Sequence, residues 1–171
     1  MSLVIAYLAV ILIWSTTPLT IVWSSASLSP ALALLLRMLI ALMIGLIWIT
    51  LARIRLPLDK PAMQFYRFSA IGIAGGMFFT YLAARSVPSG LISLIFGMSP
   101  ILSGVFAQNI LNEPAFSFYR KVALLLSITG LAIVCFDKIS LSDNNYIGIS
   151  YVLIAVVLFS ISGVLVKSVK V

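Results

Sequence analysis

Apolar residues run continuously through six stretches of this chain, and short polar links separate them. The stretches span 3–23, 31–52, 68–84, 90–111, 122–136 and 146–166. A helix needs about 20 apolar residues to cross a hydrocarbon core of about 30 Å, so each stretch is read as a transmembrane helix. Membrane strands would alternate apolar and polar positions, and no such alternation is present. The fifth stretch is the shortest, rising only about 22 Å at the helical rise per residue. Phe116, Phe118 and Tyr119 are expected to extend it through the interface while Arg120 and Lys121 snorkel to water. The pattern predicts an all-α, polytopic helical membrane protein of about six transmembrane helices.

Composition agrees with lipid as the solvent. The 171 residues are 63% hydrophobic and 9% charged, far from the charge content of a soluble domain. Eleven Lys and Arg against four Asp and Glu give a net charge of +7. On a soluble protein that excess would suggest nucleic acid, but here the cations sit at the ends of the apolar stretches and set orientation instead. Arg53, Arg55, Lys60, Arg67, Arg120, Lys121, Lys167 and Lys170 fall on one side, and Arg85 and Lys138 on the other. The bias places the N-terminus and residue 171 in the cytoplasm, with links 24–30, 85–89 and 137–145 outside. Asp137 and Asp143 fall in the last of these. Trp23, Trp48, Tyr66, Tyr119 and Tyr146 fall near the interfaces, as an aromatic belt requires. The first stretch has no preceding cation and is too long for a signal-peptide core, so it is read as a retained span. The chain has no His, and Cys135 is its only cysteine. Metal sites, disulfides and Cys-His catalysis therefore have no support, and no cofactor is implied.

Few residues carry candidate chemistry. Arg37 is the only ionisable group deep within a span, about 10 Å from its outer end by helical rise. A charge at that depth is costly and points either to an anionic solute or to a structural latch that snorkels outward or holds backbone carbonyls. Pro18 and Pro100 withhold donors from the carbonyls of Trp14 and Phe96, which marks helix breaks or simple kinks. Broken helices present polar backbone at membrane depth, a device of solute carriers. Ser15, Thr16 and Thr17 beside Pro18 either satisfy that backbone or line a cavity. Gly90, Ser93, Gly97, Pro100, Gly104 and Ala107 share one helical face by spacing. With the Gly72/Gly76 pair and the Ala41/Gly45 pair, they offer either close helix packing or a sliding surface. Glu113, at the cytoplasmic end of the fourth span, is expected to pair with Arg120 or Lys121. Ser99 lacks the glycine framing and the imidazole of a hydrolase nucleophile, and no phosphate-binding loop is present, so an enzyme is not expected.

The segments Ile13-Trp14-Ser15-Thr16-Thr17-Pro18, Leu36-Arg37-Met38-Leu39-Ile40-Ala41 and Tyr81-Leu82-Ala83-Ala84-Arg85-Ser86-Val87-Pro88-Ser89 occur in order along the chain. Ser99-Pro100, Asn112-Glu113 and Ile128-Thr129-Gly130-Leu131 follow them. Together these segments resemble the EamA-type transporters of the drug/metabolite transporter superfamily. The resemblance implies ten helices in two inverted five-helix repeats, moving metabolites, amino acids or drug-like solutes by alternating access. By that measure residues 1–136 form a first repeat and 146–171 the first helix of a second. Phe159-Ser160 in the stretch 151–167 then stands where Trp14-Ser15 stands in the first span. Pro114, after Glu113, and Ala123 depart from the family's usual residues. The expected partners are the lipid bilayer, a small-molecule solute, and a second copy or a further half to complete the cavity. The alternative reading is a non-transporting membrane subunit or a truncated remnant. Trp14, Thr17, Arg37, Tyr81, Ser93 and Gly97 are the expected substrate path.

Overall fold

The computed structural model describes residues 3–114, 116–136 and 143–169. Every regular element among them is helical. In chain order these are α1 (Leu3–Ser27), α2 (Pro30–Leu51), α3 (Lys60–Ala70), a π-helical segment (Ile71–Gly76), α4 (Met77–Ala83), α5 (Ser89–Phe96), α6 (Ser99–Ile110), α7 (Phe118–Phe136) and α8 (Asp143–Ser168). Leu3–Ser27, Pro30–Leu51, Ser89–Ile110 and Tyr146–Ser168 are long and apolar enough to cross a membrane by themselves. The third rod is composite, joining α3, the π segment and α4, and it starts at Lys60, eight residues earlier than the apolar run suggests. Phe116 does not extend α7. Its ring instead covers Gly104, where an added methyl would collide with it. Lys138, Lys170 and Asp137 lie outside the described residues, as does the Cys135 side chain.

Local chemistry fixes the helix ends. Ser29 caps α2, its Oγ accepting from the Leu32 N–H at 3.4 Å, and Pro30 takes the first helical position, where no donor is needed. At the other end Arg53 adopts φ 51°. The Ile54 N–H reaches back to the Ile49 carbonyl at 3.1 Å and the Arg53 N–H to the Thr50 carbonyl at 3.3 Å, a Schellman closure. The left-handed position favours glycine. Arg53→Gly is therefore expected to stabilise the fold by about 0.5–1 kcal/mol, read as a higher midpoint in chemical unfolding from detergent micelles.

Pro18 does not break its helix, which corrects the sequence expectation. The hydroxyls of Thr16 and Thr17 donate to the carbonyls of Leu12 and Ile13 at 2.8 and 2.6 Å, binding the turn that the proline leaves short, and α1 continues to Ser27. Pro100 does coincide with a break. Between α5 and α6 the Gly97 N–H bonds back to Ser93 and Leu94 and the Ile101 N–H to Met98. The carbonyls of Phe96 and Gly97 are thereby left without their helical donors.

α8 is the centre of the packing, lying along the whole third rod and against α5 and α6. The π segment makes this possible with glycine. A Cβ on Gly72 would stand 2.5 Å from Ser162 Oγ, and one on Gly76 3.4 Å from the Ala155 carbonyl. At that approach Ser162 Oγ donates to the Phe68 carbonyl at 2.7 Å. Ser160 and Ser99 pair through their hydroxyls at 3.1 Å. The buried core gathers around the turn that joins α4 to α5: Ala84, Val87, Leu91 and Ile92 meet Ile21 of α1, Ala33 of α2 and Val152 and Val156 of α8. The stripe of small residues on the fourth span does not form one packing face. The buried side of α5 is Leu91, Ile92 and Ile95. Gly90 instead is exposed and has open space where a Cβ would go, so the close packing expected there is not realised. The interruption after Phe96 resets the helical phase and separates Gly90 from Gly104.

Candidate functional site

A cavity of about 280 Å³ lies among α1, the third rod, α5 and α8. Trp14, Thr17 and Pro18 line it from α1, Gly76, Met77 and Thr80 from the third rod, Ser93, Phe96 and Gly97 from the fourth span, and Phe159 from α8. Trp14 is about 16 Å along the helix axis from Leu3, which puts the cavity near mid-depth of a core of about 30 Å. Ser93 and Gly97, which their spacing assigned to a packing stripe, are exposed and face this space.

Three aromatic rings shape the wall. Phe159 meets Trp14 edge-on with centroids 5.3 Å apart and meets Phe96 at 6.1 Å. By sequence Phe159 is expected to stand where Trp14 stands in the first span, and these two rings touch each other in the cavity wall. The hydroxyls around them are tied to their own helices. Thr17 Oγ1 donates to the Ile13 carbonyl at 2.6 Å, Thr80 Oγ1 to Gly76 at 2.8 Å and Ser93 Oγ to Ser89 at 2.9 Å. Their oxygens keep acceptor lone pairs and have no proton to offer.

Two expected path residues lie elsewhere. Tyr81 is only 2% exposed and belongs to the core beside Ile92 and Val156. Arg37 is half-buried on α2 and does not line the cavity. Glu113 pairs with Lys167 Nζ at 2.5 Å, and not with Arg120 or Lys121. The reason is that α8 runs along α6 and delivers its last turn beside the loop where α6 ends. Sequence reasoning passed over Thr80, Met77 and Phe96 as cavity residues. Phe159 carried a visible signal, its correspondence with Trp14, whereas Thr80 carried none. Among the described residues no three His, Cys, Asp or Glu side chains come together as a metal site would require.

The sequence model described as the EamA-like transporter family matches residues 1–136. No curated protein and no solved structure gives a match.

Proposed function

We propose, from the premise that this chain belongs to the EamA-like transporter family, that the cavity between α1 and α8 is the solute site of a membrane transporter of the drug/metabolite type. The chain is a multi-pass helical membrane protein. On this reading a small metabolite, amino acid or drug-like solute enters the cavity from one side of a cytoplasmic membrane and leaves to the other by alternating access. Residues 1–136 act as the first repeat and α8 opens a second, with the N-terminus in the cytoplasm. Being an odd and an even span, α1 and α8 run in opposite directions, as inverted repeats require. The motion would rock α1 and α2 against the unit that α8 makes with the third rod and α6, with a second copy or further helices closing the remaining side.

The observation that carries this reading is the meeting of Trp14 and Phe159 at mid-depth in the wall of the cavity, because substrate sites of such carriers lie at the repeat interface near the bilayer midplane. Trp14, Thr17, Ser93 and Gly97 line that path. Tyr81 supports the wall from behind, and Arg37 has a structural place on α2. The test is solute counterflow in proteoliposomes loaded with candidate metabolites. Saturable uptake accelerated by internal solute supports the reading. Uptake no faster than in empty vesicles for every solute class overturns it.

A further inference from the structure

Resting on the assignment of the cavity as the solute site, we infer that its ligand is a small cationic amine with an apolar body, and that anions and carboxylate-bearing solutes are rejected. The inference comes from counting donors and acceptors. The four hydroxyl-bearing residues in the wall are Ser15, Thr17, Thr80 and Ser93. Each gives its proton to a carbonyl of its own helix, at 3.1, 2.6, 2.8 and 2.9 Å respectively. What they offer an occupant is oxygen lone pairs. Pro18 and Pro100 have no N–H to give the carbonyls of Trp14 and Phe96, so these two wall residues carry backbone acceptors without their helical donors. The Gly97 N–H is already bonded to Ser93 and Leu94. The indole N–H of Trp14 is the one side-chain donor among the lining residues, and no Lys or Arg among the described residues lines the cavity.

A carboxylate or phosphate entering this space would exchange its hydration shell for acceptors and ring faces, leaving its charge unsatisfied. An ammonium finds the reverse. Its N–H groups meet hydroxyl and carbonyl oxygens, and its charge meets the negative faces of Trp14, Phe96 and Phe159. The apolar remainder of the wall, Ile21, Met77 and Ile92, suits a compact alkyl or aryl body. Arg37, the one cation deep in a span, would have argued for an anion, but it stands outside the cavity.

The experiment uses the full chain in lipid nanodiscs with Trp23 and Trp48 changed to Phe. Both are exposed at the periphery, 66% and 67%, so Trp14 is left as the sole indole, and it lies in the cavity wall. Its emission is titrated with four matched probes: 2-phenylethylammonium, 2-phenylethanol, 3-phenylpropionate and phenylalanine. The expected result is a saturable change with the ammonium at a concentration about tenfold or more below that needed for the propionate, with the alcohol between them. Phenylalanine, whose carboxylate lacks a donor, is expected to bind as weakly as the propionate. Propionate binding as tightly as the ammonium overturns the inference and leaves the cavity reading standing. No response of Trp14 to any probe, alongside counterflow of some other solute, overturns both the inference and the placement of the site.

Discussion

Replacing Gly72 with valine is expected to destabilise the folded helical bundle by about 2–4 kcal/mol, combining overpacking with the loss of one interhelical hydrogen bond. The Cβ would sit 2.5 Å from Ser162 Oγ and 2.6 Å from Ser162 Cβ. Both groups sit on rigid helices, so relief requires α8 to move off the π segment. That movement stretches the bond from Ser162 to the Phe68 carbonyl, now 2.7 Å. Unfolding in mixed micelles by increasing denaturing detergent measures the effect. Gly45→Val supplies the comparison, since nothing lies within 4 Å of a Cβ there and a change within about 0.5 kcal/mol is expected. The coupling can be isolated. Ser162→Gly removes both clashing atoms, so Gly72→Ala is expected to cost less in the Ser162→Gly background than in the parent, a cycle that reports direct contact. Equal costs in the two backgrounds would show that α8 does not rest on Gly72.

The membrane fold was legible because burial in lipid writes itself as unbroken apolar runs. The chain positions of α1, α2, the fourth span and α8 followed from run length alone. The third rod was harder to read. Its GxxxG pair announced a close approach at Gly72 and Gly76 and could not name α8 as the partner, since small residues record that something comes near but not what. Nor does a π segment have a local sequence signature: the widening at Ile71–Gly76 is decided by what packs on it. Pro18 and Pro100 are chemically the same residue with different outcomes. Thr16 and Thr17 bind the turn ahead of Pro18, whereas Gly97 ahead of Pro100 has no side chain to do so and tolerates the tight turn.

The site was half legible for a related reason. Depth can be counted along a helix, and Trp14, Thr17, Ser93 and Gly97, singled out by that count and by residue type, do line one cavity. Direction depends on which face meets which neighbour, and on that count Arg37 and Tyr81 stand outside the cavity wall. Arg37 drew attention because a charge in lipid is conspicuous. Thr80 drew none, because a threonine bonded to its own helix is indistinguishable in sequence from any other. The cavity is therefore defined less by conspicuous residues than by small or kinked ones, and that suggests how to block it.

Ser93→Phe is expected to slow transport by about tenfold or more while leaving the protein folded. Ser93 is exposed toward the cavity, and its hydroxyl makes one bond, to the Ser89 carbonyl of its own helix. Losing that bond costs little, because it only duplicates a carbonyl already bonded along the helix. The added ring projects into a space of about 280 Å³ opposite Trp14 and Phe159, where it competes with solute without meeting backbone. Gly90→Phe, one turn earlier on α5, adds the same bulk where no atom lies within 4 Å of a Cβ. Its position is exposed and outside the cavity, so the ring meets no packed neighbour and counterflow should match the parent. Both variants are to be compared at equal amounts of monodisperse reconstituted protein. If Gly90→Phe blocks flux as strongly as Ser93→Phe, bulk anywhere on α5 is inhibitory and the cavity is not the path. If Ser93→Phe transports normally, solute passes elsewhere, and the aromatic contact between Trp14 and Phe159 is a packing feature of α1 against α8 alone.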